Sequence, residues 1–239
     1  MAQIGYGYGS EFQLLRFMGR HRNLLEKIIS ETIGETGIFE WMDFGFSIPS
    51  VSITCDSELK GLSFLKASPK FNEVYDEYCK YDIQNRDSWQ NWDAIFILNG
   101  VIYLVEAKAY AGEMADNKKH GNESILQFMK DMLPELPVTK KWLGLYYQLA
   151  NRLATTALLQ KHGIKVKTIY IYFVNGYRKR IEIEHKIEDV ENCNKNTSTE
   201  DFLEAIKKEF SELGITEEMV SGLLTPPVFI DAEYDYSKE

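Results

Sequence analysis

Apolar positions recur along the chain with two different periods, and the places where the period changes mark its elements. Leu15, Met18, Leu25, Ile28 and Ile29 fall at helical spacing. They predict a helix from Glu11 toward Ile33, interrupted near Gly19 and stopped at Gly34. Ser10-Glu11-Phe12-Gln13 has capping-box spacing at its start. Ile38 to Ile48 is aromatic and β-branched, as a strand is, and Pro49 ends it. Val51 to Thr54 reads as a further strand and Phe71 to Tyr81 as a short aromatic helix.

The clearest pattern follows. Ala94 to Leu98 is apolar, Asn99-Gly100 is a type I′ turn signal, and Val101 to Val105 is apolar again. Two β-rich runs joined by Asn-Gly predict a hairpin. Their near-continuous apolarity places it inside a sheet covered on both faces. Residues 110–140 read as an insertion with a short helix near Glu123 to Leu133, closed by Pro134 and Pro137. Lys141 to Lys161 predicts a long helix, with Leu143, Tyr146, Leu149, Ala150, Leu153 and Ala157 on one side. Val166 to Val174 is a strand, Asn175-Gly176 a turn, and Arg180 to His185 another strand. Thr199 to Leu213 is a helix begun by Thr199 and ended by Gly214, and the acidic tail from Thr225 is expected to be partly disordered. The order predicts an α/β domain, a central mixed β-sheet flanked by helices, with accessory elements at the C-terminus.

Composition narrows the class. At 44% hydrophobic and 13% aromatic residues the chain can bury a substantial core. No apolar run approaches the ~18–20 residues that cross a bilayer, so no membrane partner is expected. The polar, glycine-rich start does not read as a signal peptide. Cys55, Cys79 and Cys193 are scattered, which argues against a zinc site or a disulfide framework and for reduced thiols in a cytoplasmic protein. The net charge of −9 looks hostile to a nucleic acid, but residues 186–239 carry 5 basic and 14 acidic residues. The rest of the chain is balanced and can meet a polyanion if its basic residues share a face. The acidic quarter is then expected to pack away from such a face or to cover it.

Candidate chemistry lies at the hairpin ends. Glu106 and Lys108 point to one side of their strand and Ala107 to the other, while Asp93 opens the neighbouring strand. The spacing gathers two carboxylates and an ammonium at one rim of the sheet. Hydrolysis of a phosphodiester uses such a set: oxygen ligands for Mg²⁺, a metal that acidifies water, and a cation for the developing charge. Solvated charges at strand ends are the competing reading. Glu184-His185-Lys186 repeats the tripeptide with no carboxylate one hairpin upstream, and Glu58-Leu59-Lys60 has Asp43 upstream but with Pro49 and a polar stretch interrupting the path.

Asp93, the hairpin and Glu106-Ala107-Lys108, set in an α-β-β-β-α-β order over roughly residues 10–175, resemble the PD-(D/E)XK superfamily of restriction-endonuclease-like nucleases. The family often has proline before the first acid, where this chain has Trp92. The resemblance implies a restriction-endonuclease-like core over residues 1–185, with 186–239 as an acidic accessory segment of the same domain. It implies a Mg²⁺- or Mn²⁺-dependent nuclease acting on nucleic acid, DNA above all, with the metal at Asp93, Glu106 and Ala107 and with Lys108 serving catalysis. Many members add a glutamate on the first helix; Glu11, Glu26 and Glu31 are candidates, Glu11 foremost. Some carry glutamine on the helix after the Glu-x-Lys strand, a place held by Gln148, for which a plain solvent-facing glutamine is the rival reading. Arg16, Arg20, Arg22, Lys118, Lys119, Lys140, Lys141, Arg152 and 178–180 are candidate phosphate contacts. The oligomeric state, a homodimer included, stays open. From a different class, a non-catalytic module of the same fold, used for binding or assembly, is the rival function.

Overall fold

The structure, a computed structural model, describes residues 9–42, 59–81, 90–115, 122–176 and 197–233, and the backbone of 181–183 and 186–188. Its elements are α1 (Ser10–Arg20), α2 (Arg22–Ile33), β1 (Glu40–Trp41), β2 (Leu59–Lys60), α3 (Phe71–Tyr78), β3 (Asn91–Trp92), β4 (Ala94–Leu98) and β5 (Val101–Lys108). They continue with α4 (Glu123–Met132), α5 (Tyr147–Lys161), β6 (Val166–Val174), β7 (Ile181–Ile183), β8 (Lys186–Glu188), α6 (Thr199–Leu213), α7 (Glu217–Val220) and β9 (Val228–Asp231). Outside the described residues lie the predicted strand of 51–54 and the 43–48 part of the strand predicted for Ile38 to Ile48, of which Glu40–Trp41 is a strand, together with Asp43, Cys55, Glu58, Lys118, Lys119, His120, 178–180, His185, Cys193 and 234–239.

A five-stranded sheet in the order β1-β4-β5-β6-β9 carries the fold. β4 runs antiparallel to both β1 and β5, while β6 is parallel to both β5 and β9, so the sheet is mixed. Asn99 and Gly100 both have positive φ, 52° and 73°, as a type I′ turn requires, and Leu98 pairs with Val101 across it. β5 lies at the centre of the sheet, which explains its unbroken apolar run. A parallel neighbour cannot follow through a tight turn, and the long connection from β5 to β6 supplies α4 and α5. One face of the sheet buries Leu14, Phe17, Leu25 and Ile29 of α1 and α2 against Phe96, Val105 and Ile171. The other buries Phe128, Leu149, Leu153, Phe202 and Ile206 of α4, α5 and α6 against Ile95 and Leu104.

Several local expectations are adjusted by packing. The first helix breaks at His21, just beyond Gly19. Its capping box does not form: Gly9 is the N-cap and Ser10 is already helical. Gln13 instead donates to Gly176 O at 3.3 Å. The helix predicted from Lys141 begins at Tyr147, because Lys140–Leu143 forms a 3₁₀ turn capped by Thr139. Ser198, one residue before the expected start, caps α6 in a complete capping box with Asp201, and Gly214 ends it at φ 70°. The described part of the tail, Thr225 to Glu233, is no loose appendage. Val228 and Ile230 are buried in β9, at the edge of the central sheet. Among the described residues no helix is long and apolar enough to cross a membrane.

Candidate active site

Pleating decides which side chains of β5 meet. Tyr103, Val105, Ala107 and Ala109 enter the core under α1 and α2, and Leu104 enters the opposite core. Glu106 and Lys108 share the face of Leu104, beneath α5. Asp93 sits in the bend between β3 and β4, one residue before the Ala94–Val105 pair. Its N–H donates to Val105 O at 3.1 Å, and its Oδ2 accepts the Ala107 N–H at 2.7 Å. The carboxylate thus stands where a strand carbonyl would, and it holds the first acid against the Glu-x-Lys strand.

Glu106 is 3% exposed and both its oxygens are engaged. Lys108 Nζ donates to Oε1 at 2.7 Å, and to Gln148 Oε1 at 2.8 Å. Arg152 donates to Oε2 through Nε at 3.0 Å and Nη2 at 2.8 Å. Nη2 also donates to Asn91 O at 2.7 Å, and the guanidinium lies 4.6 Å from the Trp92 ring centroid. Gln148 and Arg152 are four residues apart on α5, one turn, so a single helical face serves both ends of the cluster. Gln148 is therefore no simple solvent-facing residue.

Burial and charge act against each other here. Burial alone would push Glu106 up, but Arg152 and Lys108 hold it below the ordinary carboxylate range. Burial alone would pull Lys108 down; the charges of Glu106, Asp93 and Glu113 reverse that and keep it an ammonium. Burial pushes Glu113 up against the opposing pull of Lys108, while its Oε2 accepts the Ala109 N–H at 2.7 Å. Asp93 is near enough to act on Arg152 as well.

The structure brings Asp93, Glu106, Lys108 and Gln148 together. Glu11 stands at the same end of the sheet by its backbone. The N–H of Gly9 and the side chain of Gln13, on either side of it, both bond Gly176 O. Gly176 in turn lies so close to β5 that an added Cβ would stand 3.4 Å from that of Ala109. Glu26 is elsewhere, accepting from Trp41 Nε1 at 2.8 Å, and Glu31 is exposed. Among the basic candidates, Arg16 donates to Ala232 O at 2.8 Å, Arg22 to Met18 O at 3.0 Å, and Lys140 pairs with Glu123 at 2.9 Å. Arg152, grouped by sequence with the surface cations, is 4% exposed.

Three residues of the site escaped sequence reasoning. Glu113 and Tyr170 carry no local signal. Glu209 has one: it is an acid on the apolar stripe of α6 with Phe202, Ile206 and Leu213. It lies in the acidic quarter, yet burial pushes its carboxyl up to about 8 with only Lys108 opposing, so α6 packs against the site instead of away from it. As metal donors, Asp93 and Glu106 offer carboxylates, and Ala107 can offer only its main-chain carbonyl. These hard oxygens suit Mg²⁺ or Mn²⁺, ions that keep waters of their own. Glu106 would have to loosen one of its two cations to ligate. Among the described residues no group of three or more His, Cys, Asp or Glu side chains is arranged to hold a metal, so the donor set fits only an ion content with two carboxylates. Compared with known protein families, with curated proteins and with solved structures, the chain matches none.

Proposed function

We propose that the chain is a Mg²⁺- or Mn²⁺-dependent nuclease of the restriction-endonuclease-like fold, hydrolysing phosphodiesters of nucleic acid, DNA above all. The observation that carries this reading is the junction of Asp93, Glu106 and Lys108 at one end of the central hairpin, with Lys108 held by Gln148. Asp93, Glu106 and the Ala107 carbonyl would hold the ion, which when bound acidifies water and neutralises charge on a phosphate. Lys108 stays protonated, so its part is to donate to a phosphate oxygen as negative charge grows, and it does not remove a proton. Gln148 and Glu106 fix the Nζ position, which limits the reorganisation needed when charge develops.

A second reading, a non-catalytic module of the same fold, draws on a specific observation. Glu106 and Arg152 are 3% and 4% exposed and already paired, as in a structural ion cluster. Cleavage of supercoiled plasmid and of single-stranded DNA with Mg²⁺ and Mn²⁺ separates the two. On the nuclease reading Lys108→Ala lowers the rate ~10²–10³-fold while calorimetric metal binding persists. Asp93→Ala removes both binding and turnover. A wild-type protein that binds metal and cuts no nucleic acid would establish the module instead.

A further inference from the structure

Beside the ion cluster lies a pocket of about 320 Å³, enclosed by α5, α6, β6 and the segment 217–227. Tyr170 and Tyr172 line it from the sheet, and Leu149, Ile206, Phe210 and Leu224 supply its apolar walls. Polar side chains line it as well, Tyr170 and Glu209 among them. Tyr170 is 5% exposed, and its hydroxyl finds no hydrogen-bond partner among the described residues. Glu209 stands on the same lining and is 4% exposed. A buried hydroxyl left unbonded costs roughly 1–3 kcal/mol, so the Tyr170 hydroxyl would gain from a ligand that supplies its partner.

We propose that this pocket takes one nucleobase, bonded by the Glu209 carboxyl and the Tyr170 hydroxyl against the aromatic wall of β6. The volume suits one small ring system and falls at the low end for ligand pockets, roughly 300–1,000 Å³. The wall is a pair of rings, Tyr170 and Tyr172, stacked with centroids 6.0 Å apart. With burial holding Glu209 protonated at neutral pH, its carboxyl presents a donor beside an acceptor. Every base carries a matching acceptor–donor edge, so the fit is to bases as a class. Register places the pocket: Tyr170 pairs with Glu106 and Tyr172 with Lys108, one strand spacing of ~4.8 Å away. A base seated there would be splayed from its stack beside the residues assigned to the phosphodiester. The choice of a nucleobase over another planar heterocycle rests on the nuclease reading.

The test is calorimetric titration of the full chain with adenosine, cytidine and thymidine, with ribose as the sugar-only control. All three nucleosides should bind with similar affinity and ribose should not. Glu209→Leu should weaken binding about tenfold or more, a loss of one buried polar pairing, while Glu209→Gln, which keeps a donor and an acceptor, should bind within about threefold of wild type. Ser221→Trp, at an exposed position on the pocket lining and away from the core, should abolish binding without altering the circular dichroism spectrum. Binding of ribose equal to that of nucleosides, binding unaffected by Ser221→Trp, or no nucleoside binding at millimolar concentration would each overturn the assignment. A protein that cuts DNA yet binds no nucleoside refutes the pocket alone. One that binds nucleosides yet cuts nothing refutes the nuclease reading alone.

Discussion

Arg152→Ala is the sharpest perturbation of the ion cluster. The guanidinium makes two hydrogen bonds to Glu106 Oε2 and one to Asn91 O, and it lies over Trp92. Its removal leaves Glu106, at 3% exposure, with Lys108 as its one ionic partner among the described residues. Breaking one arm of a buried ion pair costs roughly 3–5 kcal/mol, because the surviving charge has lost water and gained nothing in return. The lost stacking on Trp92 adds ~1–2 kcal/mol when counted alone, although the two terms overlap. A loss of about 4 kcal/mol would consume much of the ~5–15 kcal/mol that holds a typical domain. The assay is urea unfolding at pH 7 followed by circular dichroism, comparing midpoints at equal slope. The double variant Glu106→Gln, Arg152→Ala, compared with its two single variants, supplies the control. With the charge gone from both partners, it should be more stable than the sum of the single losses by at least ~1 kcal/mol. A loss below ~1 kcal/mol for Arg152→Ala, or strict additivity in the cycle, would refute the view that Arg152 compensates a buried Glu106.

Glu209 gives a pH signature of the opposite sign to Glu106. Its folded-state pKa, raised to about 8 from 4.5, means the folded chain binds the extra proton between those values, so its contribution to stability falls as pH rises through that window. The slope is at most about 1.4 kcal/mol per pH unit, and Glu209→Gln should flatten it, as read from urea midpoints between pH 5 and 8.5; an unchanged slope would contradict the burial of that carboxyl. Glu106, held below the ordinary carboxylate range, contributes stability above that range and loses it as acid protonates it. Deleting 226–239 should destabilise the fold by ~3–6 kcal/mol, because Val228 and Ile230, at 0% and 1% exposure, leave the core with the strand; thermal denaturation unchanged by the deletion would count against β9 as part of the sheet.

What the chain determines by itself is what depends on neighbours in sequence. The hairpin of β4 and β5 was legible because Asn99-Gly100 tolerates two positive φ values and the flanking runs are apolar throughout. Glu106 and Lys108 on one face follow from pleating, and β6 and α6 from their periods. The capping box at Ser10 failed because a local hydrogen bond yielded to a tertiary one, Gln13 to Gly176 across 163 positions. Asp93 meeting Ala107 N, Arg152 turning inward onto Glu106, and Glu209 reaching the electrostatic field of Lys108 were decided by how α5 and α6 dock on the sheet. An arginine or glutamate on a helix has the same sequence signature whether it faces water or a buried opposite charge. Only the tertiary structure removes the water, and with it the screening that makes such charges interchangeable.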